Sequence, residues 1–213
     1  AYFYDTAGND KYVANAQAGY AYMASEGVRN IALGFDQNRG YANKGANDKA
    51  YFYDTDGNDA FVSRPDKDYA YLKSADIYNY ARGFDKNLAY AINGGAKDRA
   101  FFYGTTGDDL LSVDASIGDV SMTSGGSMSR ARGFESNIAE ATDGGNDVAY
   151  IENVLAADII FGRSDYLDYD SRGQSSRLSG FDRISASTAA GETGDADVDA
   201  VDYLFETVGD WLS

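Results

Sequence analysis

The stretch AYFYDTAGND at residues 1–10 returns as AYFYDTDGND at 50–59 and AFFYGTTGDD at 100–109, with a weaker echo, AYIENVLAAD, at 149–158. Other marks return at the same interval. GFDQN at 34–38 becomes GFDKN at 83–87, GFESN at 133–137 and GFDRI at 180–184, while GANDKAYFY at 45–53 becomes GGAKDRAFF at 94–102 and GGNDVAYI at 144–151. The chain is an array of units of about 49 residues, at 1–49, 50–99 and 100–148, with a degenerate fourth from 149.

Inside a unit, short runs such as AYFYD, KYVA, GYAYMAS, NIAL and RGYAN are separated by Gly, Asn and Asp. Tyr, Phe and Val are frequent and helical periodicity is weak, so strands joined by tight polar turns are expected. A propeller also repeats at this interval, but its blades must match all round the ring. Here three copies resemble one another far more than the fourth. A parallel β-solenoid tolerates that gradient, because each coil needs only its neighbours. The expected fold is all-β, a parallel β-solenoid over residues 1–200. A unit divides most simply into two coils of about 24 residues, with one large irregular coil as the other division. In residues 201–213, Val201, Leu204, Phe205, Val208, Trp211 and Leu212 are spaced as on a short amphipathic helix, which would cap the last coil.

Composition narrows the function. The formal net charge is -16, and Asp supplies all but six of the 34 acidic residues. Asp favours turns, in keeping with a chain of many short elements. Such a surface repels nucleic acid and anionic lipid, and no apolar run is long enough for membrane insertion. The chain has no Cys and no His, which removes thiol chemistry, disulfides, imidazole bases and the usual zinc sites. Residue 1 already falls inside a repeat, as expected of a mature product or a piece of a larger chain or assembly.

Aligned copies separate inside from outside. In the opening strand, Ala1, Ala50, Ala100 and Ala149 alternate with Tyr2, Tyr51, Phe101 and Tyr150, then come Phe3, Phe52, Phe102 and Ile151, then Tyr4, Tyr53, Tyr103 and Glu152. Successive side chains point to opposite faces, and a buried Tyr would not be replaced by Glu. The Ala/Phe face is therefore the interior. In the third run, Ala21, Ala70 and Val120 share the interior with Met23, Leu72 and Met122, while Tyr20, Tyr69 and Asp119 lie outside with Tyr22, Tyr71 and Ser121. The column Tyr12, Phe61 and Leu111 stays apolar and is assigned to the core. The candidate binding face is Tyr2, Tyr4, Tyr20, Tyr22, Tyr51, Tyr53, Tyr69, Tyr71, Phe101 and Tyr103. Stacking of equivalent strands would set these in ladders suited to neutral glycans or other protein domains. Tyr is also a good strand former, so the columns have a purely structural use.

Three acidic columns recur. One is Asp10, Asp59, Asp109 and Asp158, the second Asp36, Asp85, Glu135 and Asp182, and the third Asp48, Asp98 and Asp147. Stacked like charges repel unless water or cations intervene. The turns GNDKYV, GNDAFV, GDDLLS and GGNDVAYI resemble the calcium-binding nonapeptide (RTX-like) repeats of secreted bacterial proteins, and the longer pattern is similar to arrays in very large secreted bacterial proteins. The resemblance implies a β-roll, calcium at the turns, and a secreted or cell-surface bacterial location. On that basis Asp10, Asp36, Asp48, Asp59, Asp85, Asp98, Asp109 and Asp147 are candidate calcium ligands. The nonapeptides here are never consecutive and usually lack the double glycine. Asx turns would equally account for these acids.

The expected function is a non-catalytic extracellular structural or binding module, for assembly or adhesion. The alternative is a polysaccharide-active β-helix enzyme, a lyase or epimerase. Such an enzyme needs an acid, a base and a cation in one place. Arg82 near Asp85, Arg130 and Arg132 near Glu135, and the stretch Tyr166, Asp168, Tyr169, Asp170 and Arg172 are the candidates. Recurrence of Arg before Gly-Phe favours a repeated structural ion pair over an active site.

Overall fold

The computed structural model describes residues 1–95, 97–114, 116–141 and 144–212. Its first unit holds β1 (Tyr2–Tyr4), β2 (Lys11–Asn15), β3 (Tyr20–Ser25), β4 (Val28–Leu33) and β5 (Gln37–Tyr41). The second holds β6 (Lys49–Tyr53), β7 (Asp59–Arg64), β8 (Tyr69–Ser74), β9 (Ile77–Arg82) and β10 (Lys86–Tyr90). The third holds β11 (Arg99–Tyr103), β12 (Asp109–Asp114), β13 (Asp119–Ser124), β14 (Ser127–Arg132) and β15 (Ser136–Glu140). The fourth holds β16 (Val148–Val154), β17 (Ile159–Ser164), β18 (Tyr166–Ser171), β19 (Gln174–Ser179) and β20 (Arg183–Thr188). Last come β21 (Thr193–Gly194), β22 (Ala196–Val201), β23 (Leu204–Val208) and β24 (Asp210–Trp211).

These strands form a β-solenoid of about 5 turns with a coil spacing of roughly 38 residues. Two 11-stranded sheets face each other, one running β1-β5-β9-β8-β7-β11-β15-β19-β18-β17-β22 and the other β23-β20-β16-β12-β13-β14-β10-β6-β2-β3-β4. We call them sheet A and sheet B. The chain crosses from one to the other through the Asp-rich corners.

Neither expected division of the unit is correct. A unit makes three passes between the sheets, an odd number. The middle pass is widened into a three-stranded antiparallel meander, such as β2-β3-β4 or β7-β8-β9. Because three is odd, successive units start on opposite sheets: β1 and β11 lie in sheet A, β6 and β16 in sheet B. Opening strands of neighbouring units therefore do not stack on each other. Each stacks on a strand about one coil away, as when Lys11 of β2 pairs with Lys49 of β6, and Lys49 with Lys86 of β10.

Local sequence explains the meander. Its second turn is a two-residue hairpin whose first residue takes positive φ: Glu26 at 27°, Ala75 at 20°, Gly125 at 55° and Arg172 at 48°. Such turns match the right-handed twist of the strands they join. The Gly of the recurring Gly-Phe pair serves a different purpose. Gly83 and Gly133 have φ of 81° and 85°, and a Cβ on either would collide with the carbonyl of Ala42 or Ala91 on the coil before.

The interior is as expected. Ala50, Phe52, Ala100, Phe102, Ala149 and Ile151 are buried, as are Ala21, Met23, Ala70, Leu72, Val120 and Met122. Tyr12, Phe61 and Leu111 are all fully enclosed. Rings run through the core in contact, with centroids 6.3 Å apart for Tyr12 and Phe52, 5.8 Å for Phe52 and Phe61, and 6.1 Å for Phe61 and Phe102. In the sheet register alanine sits beside these rings, Ala50 next to Tyr12, Ala14 and Ala89 on either side of Phe52, and Ala100 next to Phe61, which leaves room for the rings to pack.

The C-terminal helix is not formed. Residues 204–208 are β23, which extends sheet B in parallel register with β20, and β24 pairs with β21. Val208 and Leu204 face solvent, so the apolar spacing does not mark a buried helical face. Among the described residues the only helical element is a single 3-10 turn at Pro65–Lys67, and no helix is long and apolar enough to cross a membrane.

Candidate functional site

The proposed binding-face residues all point outward, but inversion of alternate units divides them between two surfaces. Tyr2, Tyr4, Tyr69, Tyr71, Phe101 and Tyr103 lie on sheet A, and Tyr20, Tyr22, Tyr51 and Tyr53 on sheet B. On sheet A they are joined by Tyr41, Tyr78 and Tyr80, which the alignment of opening strands had passed over. Tyr4 stacks on Tyr41 at 5.3 Å and an interplanar angle of 16°, Tyr41 meets Tyr80 at 6.1 Å, and Tyr80 meets Tyr69 at 5.5 Å. Tyr71 and Tyr78 are 5.2 Å apart. Arg39 lies over the rings of Tyr2 and Tyr80, and Arg64 over Tyr103. Sheet B has a smaller version in which Tyr53 stacks on Tyr90 at 5.4 Å, Lys11 covers Tyr51 and Arg29 covers Tyr22. The missed residues were visible as RGYAN, YNYARGF and LAYAIN, the strands on either side of the Gly-Phe pair.

Stacking at 16° turns ring faces towards each other and leaves edges and hydroxyls to solvent. Burial against neighbours pushes the Tyr78 phenol up to about 12, and raises Tyr53, Tyr71 and Tyr80 as well. These groups are neutral hydrogen-bonding phenols at any physiological pH. The outward positions of β1, β5, β9 and β8 carry Tyr, Arg39, Arg82, Lys73 and Gln37 and no carboxylate, in a protein of net charge -16.

The carboxylates are gathered at the corners, where the three acidic columns interleave. Asp10 N–H donates to Asp48 Oδ1 at 2.7 Å, and Asp48 N–H to Asp85 Oδ2 at 2.7 Å. The same ladder recurs through Asp59, Asp98 and Glu135, and through Asp109, Asp147 and Asp182. One member of each column thus stacks on the next, each carboxylate receiving the backbone N–H of the adjacent coil. Asp10, Asp59 and Asp109 also accept the backbone N–H of Thr6, Thr55 and Thr105 within their own turns. Burial, with the neighbouring carboxylates, pushes Asp98 and Asp147 up to about 6 and raises Asp48 and Asp59. Asp36 stands apart, exposed and outside any ladder.

Two residues missed in the sequence complete the corners. Asp5 and Asp54, the fifth residue of the opening phrase, are joined there by Asp10 with Asp48 and by Asp59 with Asp98. In each trio one oxygen per residue lies within 4.8 Å of the others. The third unit has Gly104 at this position. Three hard oxygen donors suit calcium better than any softer metal. Asp5 already accepts the N–H groups of Asn43 and Lys44, and Asp54 that of Asn93.

The candidate catalytic clusters do not assemble. Arg82 approaches Asp68 rather than Asp85, and Arg130 pairs with Asp119 rather than Glu135. In β18, Tyr166, Asp168 and Asp170 face out while Tyr169 is buried and donates to Asp158 at 2.7 Å. A shallow depression of about 300 Å3 lies over Asp168, Asp170 and Arg177, but Arg177 and Asp168 are locked in a two-point pair at 2.6 Å. No protein-family profile, curated protein or solved structure matches the chain.

Proposed function

We propose that the protein is a non-catalytic, extracellular structural and binding module, and that the tyrosine field of sheet A is its adhesive face for a neutral glycan. The observation that carries this reading is the contiguous field of Tyr2, Tyr4, Tyr41, Tyr69, Tyr71, Tyr78 and Tyr80 on four adjacent strands. The four strands are hydrogen-bonded side by side in one sheet, β1, β5 and β9 in parallel and β8 antiparallel to β9, so the phenols are pre-organised and little freedom is lost on binding. Neutral hydroxyls interspersed with ring edges fit an extended chain of sugar hydroxyls, and clusters of Tyr and Arg are favoured at binding surfaces. The double variant Tyr41→Ser/Tyr80→Ser should lose retardation in affinity gels cast with a soluble neutral β-glucan by about tenfold, the effect of roughly 1.4 kcal/mol. Its circular dichroism should match wild type. Undiminished retardation would overturn the glycan-face reading.

A second reading concerns the corners. We infer that calcium binds at Asp5, Asp10 and Asp48 and at Asp54, Asp59 and Asp98, supported by the grouping of three carboxylates in these two units. The third unit, with Gly104, would not bind. A ligand of the folded state raises its stability by mass action. Thermal midpoint should therefore rise with added calcium, fall with chelator, and respond about half as strongly in Asp54→Asn. A midpoint indifferent to both calcium and chelator removes this reading.

A further inference from the structure

The last residue of the Gly-Phe pentad is Asn38, Asn87 and Asn137 in the first three units and Ile184 in the fourth. Neither reading above uses it. All four side chains are buried between the sheets. Parallel register sets each against one residue of a neighbouring coil: Asn38 against Asn79, Asn87 against Ser129 and Asn137 against Ser176. Ile184 is set against Phe205. Polar meets polar three times, and apolar meets apolar where the Asn is lost.

In the first pair both side chains are long enough to touch. Asn38 Nδ2 donates to Asn79 Oδ1 at 3.0 Å and to the Phe35 carbonyl at 3.1 Å. In the other two pairs the partner is a serine, and a gap opens. One cavity of about 10 Å3 is bounded by Asn87, Ser63 and Ser129, and another of about 10 Å3 by Asn137, Ser171 and Ser176. The two occupy equivalent places in successive units: Ser129 and Ser176 both lie on the third meander strand, opposite the pentad Asn. Asn87 Oδ1, Asn137 Oδ1 and Ser171 Oγ are buried and meet no hydrogen-bond partner among the described residues. Asn38 Oδ1 shares that condition, with its amide nitrogen already engaged.

We propose that each of these two cavities binds a single structural water molecule, in the place that the Asn79 carboxamide fills in the first pair. A space of about 10 Å3 admits the centre of one water, and a buried water needs two to four polar partners. In the first cavity the water donates to Asn87 Oδ1 and is held by the Ser129 hydroxyl. Ser63 Oγ and Ser129 Oγ bond each other at 2.6 Å, which leaves one hydroxyl proton of the pair for the water. In the second the water donates to Asn137 Oδ1 and joins the Ser171 hydroxyl. Asn opposite Asn fills the space with a second carboxamide, Asn opposite Ser fills it with water, and Ile opposite Phe is the dry arrangement.

The substitution that tests this is Ser176→Asn, which supplies the carboxamide the first pair already has. Water-oxygen magnetic relaxation dispersion on the intact protein counts internal waters with long residence times. Ser176→Asn should lower that count by one, and Ser129→Asn/Ser176→Asn by two, with thermal midpoints no lower than wild type. Ser176→Leu should also lose the water but melt earlier, because Asn137 is then left without a partner. An unchanged water count in Ser176→Asn would overturn the proposal. So would a high-resolution crystal structure of the wild-type chain with both cavities dry, a measurement that remains decisive even where a variant does not fold.

Discussion

Asp147 lies in the middle of a carboxylate ladder, with Asp109 on one side and Asp182 on the other. Burial first, and then those neighbours, push it up to about 6, and Asp98 in the ladder before it likewise to about 6. The sign follows from proton binding. Between the ordinary carboxyl range and pH 6 the folded state holds more protons than the unfolded one, so stability rises as pH falls through that window. Above pH 6 the penalty of two crowded charges is fully present. Thermal midpoint in chelator should therefore be higher at pH 5 than at pH 7.5 by a few degrees, the shift that about 1 kcal/mol produces in a chain of this size. Asp147→Asn keeps an acceptor for the Asp109 N–H and removes the charge. It should melt later than wild type at pH 7.5 and show a smaller difference between the two pH values. A midpoint that instead falls from pH 7.5 to pH 5 in both proteins would mean the ladder is stabilised by its charges. The three acidic columns were legible in the sequence as recurrences. Their stacking order was not, because it depends on which strand lies one coil away, and that is a property of the winding.

At the scale of the element, the meander is where sequence reading fell short. Strands of five or six residues look the same whether they continue along the solenoid or fold back on their neighbour. The distinction lies in the turns. Corners read TAGND or TDGND and carry the chain between sheets, whereas EG, GG and RG at 26–27, 125–126 and 172–173 are two-residue hairpins. An L-residue at the first hairpin position is strained in the left-handed region by about 1–2 kcal/mol. Arg172 sits there with φ 48°, whereas the third unit has Gly125 at the equivalent position with φ 55°. Arg172→Gly should consequently raise the thermal midpoint by a few degrees despite the flexibility glycine adds to the unfolded chain. Differential scanning calorimetry decides it, and a lower midpoint would show that the turn is held by its side chain. The same oversight produced the helix expected at 201–213. Spacings of three, one, three, three and one residues fit a helix, but the segment is extended, and in β23 Phe205 alone turns inward while Leu204 and Val208 stay exposed.

Across the whole molecule, the alternation of Ala and aromatic residues was enough to separate interior from exterior, because a strand buries every second residue whichever sheet it joins. It could not say which outer residues share a surface. That needed the parity of the winding: an odd number of passes sends Tyr4 and Tyr53 to opposite sides and brings Tyr41 and Tyr80 to Tyr4 instead. A solenoid of this kind holds together by contacts between adjacent coils, so its stability is closer to a sum over neighbours than to one global term. Among the described residues the outermost strands have one partner each: β1 pairs with β5, β4 with β3, β22 with β17 and β23 with β20. Phe35 shows the consequence, being 55% exposed where its counterparts Phe84 and Phe134 are 3% and 0%. Hydrogen exchange should therefore be graded, with amides of β6 to β16 the slowest and those of β4, β22 and β23 faster by at least two orders of magnitude, the ratio that about 3 kcal/mol of local opening implies. Protection that is uniform from β2 to β23 would instead mean that the chain opens as one cooperative unit. In that case the continuous line of rings from Tyr12 through Phe52 and Phe61 to Phe102, which crosses the coils, would be what couples them.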